Sequence, residues 1–270
     1  MTGPLEATGR TAAVPSAGGV VRAIALNTFR EAIRDRVLYL LLIFALVLIG
    51  VSRSLSLLTV GDEEKIIKDV GLSAVSVFGV LTAVFVGVSL VFKEIERRTV
   101  YTLLANPVRR WQFVAGKFVG LLAVLALNVG VMSAALFGIL LLRGEAPWGL
   151  LPAVVLILVE LTVVTAFALL FSSITNPILA ALMTFAVYVA GHLSWGLQLL
   201  KAKLQGGAAW ICDVVYWAMP NLERLNVKAE VVHGIALQPG YLPLATLYGL
   251  AYSAVVLTLA CLAFEHKEFS

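Results

Sequence analysis

Charge is scarce in this sequence: 13% of its 270 residues are Asp, Glu, Lys or Arg, where a soluble domain carries about 25%. Together with 60% hydrophobic residues and a mean hydropathy of +0.97, that deficit excludes an ordinary solvated domain. Cysteine is nearly absent. Cys212 and Cys261 stand far apart, outside any CxxC or Cys/His spacing, so no disulfide framework or metal site is expected. The three histidines and four methionines are scattered and offer no cluster for copper. A phosphate-cradling GxxxxGK[ST] run is also missing. The one Gly-Lys, Gly116-Lys117, is followed by Phe118 and lacks the hydroxyl and glycines that such a loop requires. Residues 1–18 are rich in Thr, Ala, Gly and Pro without an apolar core, which predicts a floppy tail and no signal peptide.

What is abundant is long apolar sequence. A membrane-crossing helix needs about 20 predominantly apolar residues, and six stretches supply them: 37–58, 70–92, 118–142, 149–171, 178–200 and 242–264. The expected fold is an all-α integral membrane protein, with residues 37–270 as one six-span domain. The net charge of +4 does not point to nucleic acid, because the basic residues sit in connectors beside the spans. Arg10, Arg22, Arg30, Arg34 and Arg36 precede the first span. Lys93, Arg97, Arg98, Arg109, Arg110 and Lys117 lie between the second and third. Basic connectors stay on the cytoplasmic side, so this bias predicts a multi-pass protein of the cytoplasmic (inner) membrane with both termini inside.

Three further segments have character. Residues 19–36 place Val21, Ile24, Ala25, Phe29 and Ala32 on one side and Asn27, Arg30, Glu31 and Arg34 opposite, the pattern of an interfacial amphipathic helix. Near 208–220, Trp210, Tyr216 and Trp217 suit the headgroup layer and predict short extracytoplasmic helices between spans five and six. A broken seventh span there is the alternative. The third segment, KEIERRTVYTLLANPVRRWQFVAGK, runs from Lys93 to Lys117. Its first part favours helix. Asn106-Pro107 then predicts a break and a capped restart, with Asn at the cap and Pro at the first helical position, the new helix continuing through Trp111 into span three. Asn176-Pro177 repeats the device before span five. A stiff hairpin joined to two spans is a lever. An amphipathic connector that merely lies on lipid is the competing reading, against which stand Glu94 and Glu96 among the basic residues.

With FKEIERRTVYTLLANPVRRWQFVAGK and the later PNLERLN run, the chain resembles the permease subunits of ABC-2-type transporters. It is most similar to a branch that includes permeases for maturation of nitrous-oxide reductase and other multicopper enzymes. The resemblance implies a coupling helix between spans two and three that docks on a separate ABC ATPase subunit, over Thr99 to Asn106. Glu96 and Arg97 would brace its base, and Tyr101, Leu103 and Pro107 would belong to the same element. It also implies a second permease copy, as homodimer or heterodimer. No cofactor is expected in this chain; ATP and Mg would be bound by the partner. The expected function is ATP-driven transport, with export favoured over import, of a substrate the sequence does not specify.

Polar residues inside the spans are the other candidates. Glu160 lies midway along span four, where a charge is expensive and should face the bundle. His192 in span five and Asn128 in span three are its candidate partners. The pair either lines a translocation route or makes a structural interhelical bond. Arg53 stands near the outer end of span one and can snorkel. Gly116 and Gly120, four apart, permit close helix packing, although such pairs arise easily by chance. The rival classes are a membrane-embedded enzyme and an ATPase-independent transporter or scaffold. The single central carboxylate, the lack of DxxD, and a Ser194 that should point away from His192 on a helix argue against an enzyme. No inverted repeat is detectable to support a secondary transporter.

Overall fold

The computed structural model describes residues 16–56, 62–96, 109–194 and 219–266. Among them the secondary structure is helical: α1 (Ala17–Ile33), α2 (Arg36–Ser56), α3 (Glu63–Glu96), α4 (Arg110–Leu142), α5 (Leu151–Ile174), α6 (Pro177–His192), α7 (Lys228–Val232) and α8 (Tyr241–His266), with short 3-10 turns at Pro147–Leu150 and Leu222–Leu225. Helix is what an apolar chain must adopt in lipid, because every backbone N–H and C=O then finds its partner within the segment. Five elements are long and apolar enough to cross a membrane: Arg36–Ser54, Glu63–Leu90, Arg110–Leu142, Pro147–Ile174 and Tyr241–Phe264. The sixth predicted span appears as a shorter apolar helix, Pro177–His192. The remainder of that prediction, from Trp195 on, lies outside the described residues.

The helix starts follow from local chemistry. Asn176 caps α6 through its side-chain oxygen, which accepts from the Leu179 N–H at 2.9 Å, with Pro177 in the first turn. This is the predicted Asn-Pro corner. The start of α4 departs from expectation. Arg109 is extended, with ψ of 141°, so the helix that enters the bundle does not run on from Pro107. It begins at Arg110, and the Arg109 N–H donates to Gln112 Oε1 at 2.9 Å. The side chain of Gln112, three residues into the restart, supplies the acceptor. At the far end of α4, Gly144 takes a φ of +80° while the Glu145 N–H reaches back to the Leu140 carbonyl at 3.0 Å, the glycine-closed helix end.

α5 is the axis of the bundle. Its Leu156, Ile157, Leu161 and Val163 are buried in a core shared with Val75, Val80, Val129 and Met132. α2 and α8 are peripheral and turn Ile43, Phe44, Val47, Leu247 and Val255 outward, the apolar surface that suits lipid. At one end of the bundle Glu63 and Arg143 form an ion pair between α3 and α4. There Lys65 also donates to Asp62 at 2.6 Å, which holds the exposed Asp62 carboxyl below the usual carboxylate range. At the opposite end Arg110 Nη1 donates to the Phe264 carbonyl at 2.9 Å, and Phe113 stacks on Phe264 with ring centres 5.6 Å apart.

The amphipathic segment is seen as α1, ending at Ile33 rather than Arg36. It packs on another helix. Ala25, Thr28 and Ala32 are its buried residues, and Thr28 was not on the predicted apolar face. Gly116 and Gly120 of α4 make the close approach: a Cβ at Gly116 would stand 2.7 Å from Ile24 Cβ, and one at Gly120 would stand 2.6 Å from the Ala25 carbonyl oxygen. The glycine pair is therefore a packing device in this chain. It also brings Lys117, which reads in sequence as a basic flank of span three, into the interior at 1% exposure. Its Nζ is 3.9 Å from Glu31 Oε2 of α1 and 6.0 Å from the centre of the Phe113 ring.

Candidate functional site

Of the three intramembrane polar candidates, two meet. Glu160 on α5 is 1% exposed, and its Oε1 lies 3.4 Å from His192 Nε2 at the end of α6. That separation is within ion-pair reach but longer than an ordinary N–H···O bond. Neither oxygen of Glu160, nor His192 Nε2, has a hydrogen-bond partner among the described residues. His192 is oriented by its own helix. Nδ1 is 3.2 Å from the Tyr188 carbonyl oxygen, and the Tyr188 ring centre is 4.7 Å from the imidazole.

Asn128 belongs to a different contact. Its Nδ2 donates to Thr82 Oγ1 at 3.3 Å, joining α4 to α3, while Thr82 donates in turn to the Phe78 carbonyl at 2.7 Å. Thr82 carried no sequence signal, since an isolated threonine in an apolar span usually bonds its own helix. Arg53 is exposed near the end of α2. Ser194 is buried with no hydrogen-bond partner for Oγ among the described residues, and His192 turns its Nε2 to Glu160. Among the described residues Ser194 and His192 are therefore not paired as nucleophile and base.

The pair is roofed by residues 219–232, whose PNLERLN run the sequence offered as part of the family resemblance and not as a cover for Glu160. Leu222 and Leu225 are buried under the 3-10 turn. Gly191, beside His192, admits the turn so closely that a Cβ there would stand 2.8 Å from the Pro220 carbonyl oxygen. The turn is tied to α8: the Asn221 N–H donates to the Tyr248 hydroxyl at 2.9 Å, the Tyr241 hydroxyl donates to the Arg224 carbonyl at 2.8 Å, and the Arg224 guanidinium lies 5.7 Å from the Tyr248 ring centre. This cap brings Lys228 and Glu223 within electrostatic reach of both Glu160 and His192. From beneath it a file of rings, Tyr248, Tyr252, Phe167 and Phe171, runs into the bundle at centre spacings of 6.1, 6.0 and 5.8 Å.

The predicted coupling element has a partial frame. α3 continues past its apolar stretch to Glu96, and α4 begins at Arg110. Arg97, Thr99, Tyr101, Leu103, Asn106 and Pro107 lie outside the described residues, as does the side chain of Glu96. Trp210, Cys212, Tyr216 and Trp217 lie outside them too. Among the described residues no group of three or more His, Cys, Asp or Glu could hold a metal. An open apolar groove of about 670 Å³ runs along the packed α1–α4 seam, lined by Val21, Arg22, Leu26, Phe29, Trp111 and Val119 among others. It is remote from the Glu160–His192 pair and is apolar apart from Arg22.

A search of curated proteins finds no match. A family model described as "ABC-2 family transporter protein" matches residues 22–269, from the first turns of α1 to past the end of α8.

Proposed function

The chain belongs to the ABC-2 family of transporter proteins, and from that premise we propose that it couples ATP hydrolysis on a separate subunit to export of a substrate. Its place in the transporter is that of the membrane-embedded permease component. The observation that carries the coupling reading is the length of the two helices bracketing residues 97–108. α3 has 34 residues and α4 has 33, about 50 Å each at about 1.5 Å per residue, against a hydrocarbon core of about 30 Å. Both rods are unbroken, so a push on the connector moves the core-packed part of each. Arg110, at the base of the second rod, is also tied to the end of α8. A displacement there reaches the last span without passing through a slack loop.

In this reading the connector faces the cytoplasm in the inner membrane, where the basic residues place it. Thr99 to Asn106 is the docking helix, with Glu96 and Arg97 at its base and Tyr101, Leu103 and Pro107 within the contact. The ATPase partner holds ATP and Mg. A second permease copy completes the assembly, and the cap over Glu160 faces outward. The test is co-purification of the whole chain with its ATPase subunit, with and without Glu96→Ala, Tyr101→Ala and Leu103→Ala. The variants should lower association and ATP-driven transport together. Association and transport at wild-type levels would refute the docking role, and a tag at Asn106 reachable from outside an intact cell would refute the orientation.

A further inference from the structure

The buried pair carries an inference about protons. The Tyr188 carbonyl oxygen can only accept a hydrogen bond, so His192 Nδ1, 3.2 Å away, is the nitrogen that bears hydrogen. In a neutral ring Nε2 is then a lone pair, and it faces Glu160 Oε1 at 3.4 Å. Two lone pairs set against each other in an apolar interior repel. A hydrogen between them turns the repulsion into a bond. Either Glu160 is the acid and donates to Nε2, or Glu160 is a carboxylate accepting from an imidazolium. The two forms differ in where one proton sits, and both contain it. Without that proton Glu160 is a charged group to which none of the described residues donates, the arrangement a bilayer interior tolerates least.

We propose that Glu160 and His192 form a proton-binding site that holds one shared proton while the 219–232 cap is closed over it. Among the described residues, the other charged and titratable groups acting on the pair are Lys228 and Glu223 of the cap and Tyr188 of α6. Lys228 and Glu223 are opposite in sign, and neither hydrogen-bonds Glu160, so they do not substitute for the proton. Closure and proton retention support each other. The cap rests on Gly191, next to His192, and Glu160 beneath it is 1% exposed. Removing the proton leaves a charge that is better solvated with the cap displaced.

The experiment uses the whole chain in detergent micelles, wild type and Glu160→Gln. Glutamine keeps a donor for Nε2 and removes the titrating carboxyl. An unfolded glutamate releases its proton near its ordinary pKa of about 4.3. Above that pH the folded wild type holds one proton that its unfolded carboxyl does not. The contribution of unfolded His192 is common to both proteins and cancels. Relative to E160Q, the wild-type folding constant is therefore expected to fall about tenfold per pH unit on the alkaline side, until the shared proton leaves. Parallel pH profiles overturn the proposal. Infrared and nitrogen-15 histidine spectra of the wild type decide independently, should E160Q fail to fold. At mildly alkaline pH, where exposed carboxyls and histidines have lost their protons, either a protonated carboxyl or an imidazolium should persist. Finding neither overturns the proposal.

Discussion

Arg110 and Phe264 stand 154 positions apart in sequence, yet the guanidinium of one donates to the backbone carbonyl of the other at 2.9 Å. The last carbonyls of a helix have no partner within it, and a cation is the favoured neighbour for that end. The contact joins the start of α4 to the end of α8. Arg110→Ala should lower the thermal stability of the purified chain by about 1.5–3 kcal/mol, the range for a hydrogen bond to a charged group. Arg110→Lys should recover part of the loss. Equal stability of all three proteins would show that the contact holds nothing.

Gly120 admits α1 to the bundle, because a side chain there meets the Ala25 carbonyl and Thr28. Backbone cannot move aside as a flexible side-chain tip can. Gly120→Leu should cost about 1–3 kcal/mol through overpacking and expose α1 to protease near Arg22 and Arg30. Unchanged melting and unchanged digestion would remove α1 from the packed core.

The cap depends on Gly191 in the same way. Gly191→Val should push Pro220 and Leu222 off α6 and speed tryptic cleavage after Arg224 and Lys228. Digestion at the wild-type rate would mean that the cap is held elsewhere.

Asn128 and Thr82 bond across α4 and α3. Interhelical hydrogen bonds in membranes contribute about 0.6 kcal/mol on average and up to about 1.7. A double-mutant cycle of Asn128→Ala and Thr82→Val should return a coupling in that range. A coupling of zero would make both side chains passive packing.

The apolar segments were legible because lipid imposes a length and a composition that few other environments demand. Asn176-Pro177 was legible because its capping chemistry is contained in four residues. Glu160 announced itself by being a carboxylate in a span, and His192, one of its two candidate partners, stands 3.4 Å from it. Asn128 was equally polar and equally deep, but composition carries no rotational information, and its helix turns it to Thr82. The helix expected to run on from Asn106-Pro107 through Trp111 is interrupted at the extended Arg109, whose N–H is met by the Gln112 side chain, while Asn106 and Pro107 themselves lie outside the described residues.

Membership of a membrane bundle, the number of apolar segments and the placing of basic connectors follow from composition and order along the chain, since burial in lipid depends on residue type and length. Which polar groups touch, why Gly116 and Gly120 matter, why Lys117 lies inside, and why residues 219–232 close over Glu160 follow from packing alone. Helix rotation and crossing are chosen by neighbours distant in sequence, through contacts a few ångströms long that no local pattern encodes.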